Sequence, residues 1–397
     1  MTAEQLVPLE GGPVAWVGAL DHDRSPTGLS PRRLPAWTRS QITDPMLNAM
    51  VGMGSGVRIA FTTDSDVVEL DVMVTGFRLA GTPLRPAVFE LVSAGRTTSV
   101  AADSMHCFVL DFVDPSNDSF EAGEPSTIRF EGLGRFEGLG TEGRAVEIWL
   151  PHAATTEVRA LRLAAGAGVT ATPPSGRRRW VHYGSSISHC MEADTPTQTW
   201  PAIAARLGDV ELFSLGLAGQ CQLDGFVART IRDQPADLIS LKLGINIVNG
   251  DTMRERTFVP AVHAFLDTIR EGHPDTPILV VSPIFCPSAE HVPGPTFVSA
   301  DGGFDTIASE SPELQRIREG CLTLRRIREL LAGVVEARRA LGDEQLAYLD
   351  GLELFGEADA ADLPDRLHPN NAGYARMGER FAAAIFGVAS ATTRSQP

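Results

Sequence analysis

The pattern of apolar and polar positions changes character once along the chain. From about residue 14 to 170 the apolar residues alternate in short runs, at 57–61, 67–74, 87–92, 126–130, 145–150 and 158–163. Alternation of period two, in runs rich in Val, Ile and Phe, marks half-buried strands. Turn-rich pieces such as 114–118 separate them, and no long amphipathic helix interrupts the series. Many short strands with turns between them predict an antiparallel sandwich or jelly roll. Beyond residue 177 the grammar switches. Near-continuous apolar strands at 210–215, 237–243, 277–281 and 346–349 alternate with helical spacing at 225–234, 259–271, 314–341 and 371–386. That pattern predicts a flavodoxin-like α/β domain, a parallel sheet covered by helices on both faces. The stretch 171–179, with small residues, two prolines and three arginines, has linker composition. It divides the chain into a sandwich domain at 1–175 and an α/β domain at 176–397.

In open parallel sheets, sites lie beyond the carboxyl ends of the strands. The polar, glycine-containing segments after each strand are therefore the ones that matter. The first follows Trp180-Val181-His182-Tyr183, where Gly184-Ser185-Ser186 reads as a tight turn into a helix. Gly184 is expected to take backbone angles that a side chain would forbid. Ser186 then opens the helix, where free N–H groups and the positive end of the dipole favour an oxyanion. The second segment is Ser214 to Gln220, with Gly219. The third is Gly244-Ile245-Asn246. The last, Asp365-Arg366-Leu367-His368-Pro369-Asn370, precedes the final helix. Alone, each has an ordinary reading: glycines make turns, Asn246 is equally a turn residue, Asp365 a cap and His368 a surface residue.

Together they supply complementary chemistry. A serine hydroxyl needs a base to become a nucleophile, and an imidazole near neutrality is the right base. Ser186 is thus the candidate nucleophile, His368 the base and Asp365 the acid that fixes the ring tautomer. The N–H groups of Ser186 and Gly219 and the amide of Asn246 are the candidate oxyanion donors. No G-x-S-x-G elbow occurs, which argues against the α/β-hydrolase fold.

Charge and composition narrow the partners. A net charge of −16 makes a poor surface for nucleic-acid phosphates. Five scattered cysteines without a CxxC pair predict buried thiols, and neither a disulfide framework nor a zinc site; no cofactor or metal is called for. Residues 1–12 lack a basic region followed by an apolar run, and no apolar run is long enough to span a membrane, so a cytoplasmic protein is expected. Residues 138–143 fit G-x-G-x-x-G but precede a strand and not a helix, so they read as a loop. The segment 287–312, rich in Pro, Gly and Ser, reads as a loop over the pocket or an inert insertion. Trp200 and His189 read as pocket lining, or as a core tryptophan and a surface histidine.

The ordered segments resemble those of the SGNH (GDSL-type) hydrolases. Gly184-Ser185-Ser186-Ile187 looks like the nucleophile block, Gly219 like the oxyanion glycine, Gly244-x-Asn246 like the asparagine block, and Asp365-x-x-His368-Pro369 like the acid–base block. The departures are Ser185 in place of the first-block aspartate, Ser214 in place of a common asparagine, and Ile247 where many relatives carry aspartate. A sandwich ending in a segment like Glu147-Ile148-Trp149-Leu150-Pro151 precedes the domain in a bacterial two-domain subgroup, which the resemblance extends to. The subgroup implies esterases, and also an acyltransferase that places an aryl acid on a polyketide antibiotic. The expected activity is hydrolysis of a small-molecule ester through an acyl-enzyme. The alternative is transfer of the acyl group to a hydroxylated acceptor by the same route. A third reading is a carbohydrate-binding protein with an idle catalytic domain, against which the intact Ser186, Gly219, Asn246, Asp365 and His368 argue.

Overall fold

The computed structural model of the protein describes residues 3–111, 114–133, 143–299, 301–308 and 311–388. The pattern expected as a loop at 138–143 lies outside them except for Gly143. The chain forms two compact units, one of residues 1–176 with 194–197, the other of 177–193 with 198–397.

The first unit is a two-sheet sandwich. One sheet is organised on the long strand Val67–Leu79, which pairs antiparallel with Thr155–Ala164 and Ser126–Glu131 and parallel with His106–Leu110. The other places Arg58–Thr63 between Arg144–Trp149 and Ala15–Val17. Period-two alternation sends Val68, Leu70, Val72 and Val74 from the first sheet and Ile59, Phe61, Val146 and Ile148 from the second into one core. The six strands expected from the sequence are all present, within a few residues at their ends. Edge strands with little apolar content, such as Arg96–Ala101 and Ser119–Glu121, and a helix at Pro45–Gly52 capped by the Asp44 carboxylate, were not foreseen. The segment 194–197 joins this unit through Thr197, whose N–H donates to Glu90 Oε2 at 2.8 Å.

The second unit holds a five-stranded parallel sheet: Arg178–Gly184, Val210–Gly216, Leu238–Lys242, Ile278–Val281 and Leu346–Leu349. Counted along the chain, their spatial order is 2-1-3-4-5. This is the flavodoxin-like order, and its direction of winding switches between the first and third strands. Alternate residues of the first strand cover opposite faces. Trp180 stacks on Phe381 of the closing helix Asn371–Phe386 at 4.9 Å, whereas Tyr183 stacks on Phe265 of Glu255–Arg270 at 5.4 Å. The closing helix begins and ends where the sequence placed it, between the Asn370 cap and Gly387 in the left-handed region.

The helix expected at 314–341 is two helices, Pro312–Ile317 and Leu324–Ala340. Gly320 sits at φ +75° between them, and the Thr323 hydroxyl caps the second by accepting the Arg326 N–H. A positive φ breaks the helical ladder, and the new cap restarts it.

Candidate active site

The first three strands end side by side, and each releases one candidate segment at the same edge. Gly184 pairs in register with Gly216, and Tyr183 with Leu241. Ser186 opens the short helix Ser186–His189, with the Ser185 hydroxyl capping it by accepting the Ile187 N–H at 3.3 Å. Gly184 is needed for space and not for a special backbone angle: its φ is not positive, but a Cβ there would run into the Ser188 hydroxyl. That hydroxyl is committed to His182, whose Nε2 lies 2.8 Å away, while His182 Nδ1 lies 2.7 Å from Ser240 Oγ. Burial, and then the charge of Lys242, push the His182 pKa down to about 3, so this ring is neutral and both its nitrogens are occupied. It braces the turn that carries Ser186, and neither of its nitrogens is open to serve as a base. His189 is buried, not a surface residue, and its Nδ1 accepts the Ala218 N–H at 3.4 Å. Trp200 is core, packed against Trp180, His182 and Phe381.

Asp365 and His368 form one turn. The Asp365 Oδ1 accepts the backbone N–H groups of Leu367 at 3.0 Å and His368 at 2.7 Å, and Oδ2 lies 2.6 Å from His368 Nδ1. Burial works to raise the Asp365 pKa. The hydrogen bond and charge of the His368 ring, with the two backbone bonds, outweigh it and hold the carboxyl below its ordinary value. An ionised carboxylate on Nδ1 fixes the proton there and leaves Nε2 as the acceptor. Nε2 lies 2.9 Å from Ser186 Oγ. The structure thus brings Ser186, His368 and Asp365 into one hydrogen-bonded chain, with Ser186 and His368 each 8% exposed.

The three candidate oxyanion donors are positioned differently. Gly219 holds φ +71° in the loop after the second strand. Asn246 is the second residue of the helix Ile245–Gly250, and its Oδ1 accepts the Cys221 N–H at 3.0 Å. That bond turns the NH₂ end of the amide away from Cys221. Among the described residues, the N–H of Ser186, the N–H of Gly219 and the Asn246 NH₂ have no acceptor in the protein. Ser186 and Asn246 are buried residues and Gly219 is exposed, and the three donors follow three adjacent strand ends.

Of the neighbours of these residues, the segment 287–312 reads in the sequence as a loop over the pocket or an inert insertion, whereas Arg366 and Glu192 carry no recognisable signal. The segment 287–312 contains a hairpin, Thr296–Val298 with Phe304–Thr306. Phe304 sets its ring edge-on to His368, centroids 5.5 Å apart, and its N–H donates to Asp365 O at 2.9 Å. Arg366, in the left-handed region at φ +65°, ties the same hairpin down through Ser299, Asp301 and Asp305. Glu192 lies beside His368, with Oε1 3.6 Å from Nδ1, and Tyr374 donates to its Oε2 at 2.7 Å. All five cysteines are free; four are buried and Cys321 is half-buried.

Lys242 is the remaining oddity. It ends the third strand four residues before Asn246, is 1% exposed, and its Nζ has no hydrogen-bond partner among the described residues. Burial pushes its pKa down from 10.5 to about 8. That drop corresponds to about 3 kcal/mol of destabilisation wherever the native lysine is charged. Below pH 8 both folded and unfolded states carry the proton, and the full penalty stands. Between about 8 and 10.5 the unfolded chain binds more protons, so stability rises with pH through that window. Lys242→Met is expected to stabilise the protein by about 2–3 kcal/mol at pH 7 and to flatten that rise. Urea unfolding from pH 7 to 10.5 checks both; an unchanged midpoint would mean the charge is compensated.

Comparison with known proteins follows the same lines. Residues 182–376 match the model of the GDSL-like Lipase/Acylhydrolase family. Among solved structures, the chain is similar to the salicylyl-acyltransferase SsfX3 from a tetracycline biosynthetic pathway, at 27% identity, covering 97% of this chain and 99% of that one with a TM-score of 0.77. It is also similar in fold to a candidate GDSL-like lipase from Bacteroides ovatus, at 20% identity, 97% of each chain and a TM-score of 0.65. A third is a family two carbohydrate esterase from Clostridium thermocellum, solved in complex with cellohexaose, at 13% identity, 94% of this chain, 98% of that one and a TM-score of 0.57. No curated protein sequence matches the chain. Among the described residues no helix is long and apolar enough to cross a membrane.

Proposed function

Starting from residues 182–376 as a GDSL-like lipase/acylhydrolase domain, we propose that this enzyme is a serine esterase that cleaves a small-molecule ester through an acyl-enzyme. The observation that carries the reading is the unbroken chain from Ser186 Oγ through the His368 ring to Asp365. In the first half-reaction His368 Nε2 takes the Ser186 proton as Oγ attacks the carbonyl carbon. The N–H groups of Ser186 and Gly219 and the Asn246 amide receive the charge that develops on the carbonyl oxygen. The imidazolium, with Asp365 on its other nitrogen, then hands its proton to the leaving alcohol. In the second half-reaction the same ring takes a proton from the incoming nucleophile, and Ser186 leaves with it.

Acyl transfer differs only in that nucleophile. It is the second reading because the similarity to the salicylyl-acyltransferase spans almost the whole of both chains. Water is abundant, so transfer requires a bound and oriented hydroxyl; good orientation can supply effective molarities of 10⁵ M or more. Phe304, held over His368, is the side chain that would thin out water there. The decisive experiment is product partitioning. The enzyme is given activated aryl and aliphatic esters with a panel of hydroxylated acceptors, and free acid is weighed against transferred ester by mass. Fast release of free acid with every acceptor fits the esterase. Slow release, with one acceptor accelerating donor consumption, replaces it with the transferase.

A further inference from the structure

We infer that Glu192 is a second carboxylate on the His368 imidazole, anchored by Tyr374, which stabilises the imidazolium and holds the ring when Asp365 cannot. The inference rests on reading Ser186, His368 and Asp365 as the acyl-transfer site, and it assigns to that site a positioning residue outside its sequence blocks. Glu192 follows the nucleophile helix by three residues, and its Oε1 is 3.6 Å from the same Nδ1 that Asp365 Oδ2 meets at 2.6 Å. A carboxylate at 3.6 Å is too long for a hydrogen bond but close enough to act by charge.

The anchor is specific. Tyr374 is fully buried, and its hydroxyl donates to Glu192 Oε2 at 2.7 Å. Burial, and then the charge of Glu192, raise the Tyr374 pKa well above its ordinary value, so it remains a donor at working pH. Tyr374 sits one turn into the helix that starts just after His368-Pro369-Asn370, and its N–H bonds Asn370 O at 2.9 Å. The base and the anchor of its second carboxylate are therefore fixed by the same helix start. Phe304, which is neutral, sets its ring edge-on to His368; Cys190, which acts on Glu192 and Tyr374, is kept protonated by burial, and Arg366 pairs with Asp301 and Asp305 on the hairpin. Among the described residues, Asp365 and Glu192 are the carboxylates within 4 Å of Nδ1.

When His368 accepts the Ser186 proton, the pair Asp365–imidazolium carries Glu192 as a further negative neighbour. With Asp365 removed, Nδ1–H has Glu192 within a small side-chain shift. Loss of the orienting aspartate from a serine triad costs about 10⁴-fold in kcat; here Asp365→Ala is expected to cost about 10²–10³-fold. Glu192→Gln alone should cost less than about fivefold, and the double variant should reach about 10⁴-fold.

Turnover cannot be the sole readout, so the His368 titration is followed by NMR of its Cε1–H, assigned by its loss in His368→Ala. Glu192→Gln should lower that titration by half a pH unit or more, because a negative neighbour is gone, and by more in the Asp365→Ala background. Tyr374→Phe, which keeps both carboxylates, should give a smaller shift in the same direction. If Glu192→Gln leaves the titration in place in both backgrounds, or the double variant matches Asp365→Ala in rate, the inference is overturned. If the titration shifts while no acyl donor is turned over, the esterase reading fails and the Glu192–His368 pairing stands.

Discussion

Ser186→Ala is expected to lower kcat by about 10⁵–10⁶-fold, with the fold intact, since removing a triad nucleophile costs about that much. The neighbouring hydroxyls cannot take over. Ser185 Oγ accepts the Ile187 N–H and caps the helix, and Ser188 Oγ is held by His182 Nε2 at 2.8 Å. Of these three hydroxyls it is Ser186 Oγ that lies 2.9 Å from the Nε2 of His368. Ser185→Ala removes a cap worth about 1 kcal/mol and should leave the rate within about tenfold. A serine-reactive fluorophosphonate read by mass spectrometry, alongside ester turnover, checks both. Labelling that survives in Ser186→Ala and disappears in Ser185→Ala would move the nucleophile one residue back.

Asn246→Ala is expected to lower kcat by about 10²–10³-fold with little change in KM. Its amide is called on as charge develops on the substrate oxygen, not in the ground state. The structure adds a sharper variant. Because Oδ1 already accepts the Cys221 N–H, Asn246→Asp keeps that bond and changes only the end proposed to face the oxyanion. A carboxylate there repels the charge the amide would have stabilised, so Asn246→Asp should be at least as slow as Asn246→Ala. Steady-state kinetics on one activated ester suffice. An aspartate variant within fivefold of the parent would remove Asn246 from the oxyanion role.

Much of this was readable because it is local. Strands with an alternating apolar face announced the sandwich, and helical spacing placed the closing helix at 371–386, where the structure has it between the Asn370 cap and Gly387. What was missed depends on partners distant in sequence or on space. The break between Ile317 and Leu324 is invisible to apolar periodicity and turns on one glycine at positive φ. Gly184 was read as a conformational need, whereas the constraint is the Ser188 hydroxyl above it. The hairpin at 296–306 has few apolar residues, and its position comes from Arg366, which in the sequence is only the residue between acid and base spacing. Glu192 meets Tyr374 across 182 positions, and no pattern within either segment announces it.

Ser186 and His368 are likewise 182 residues apart, while Asp365 and His368 are three apart on a turn closed by its own backbone. The bonds between Asp365 and His368 are local; the bond from His368 to Ser186 exists only once the last helix has docked against the first strand. Contacts between such distant residues must overcome the entropy of closing the intervening chain and form late. Recovery of turnover after dilution from denaturant therefore marks the end of folding rather than its beginning. On a ribosome, Ser186 would wait for nearly half the chain to be made before it met His368.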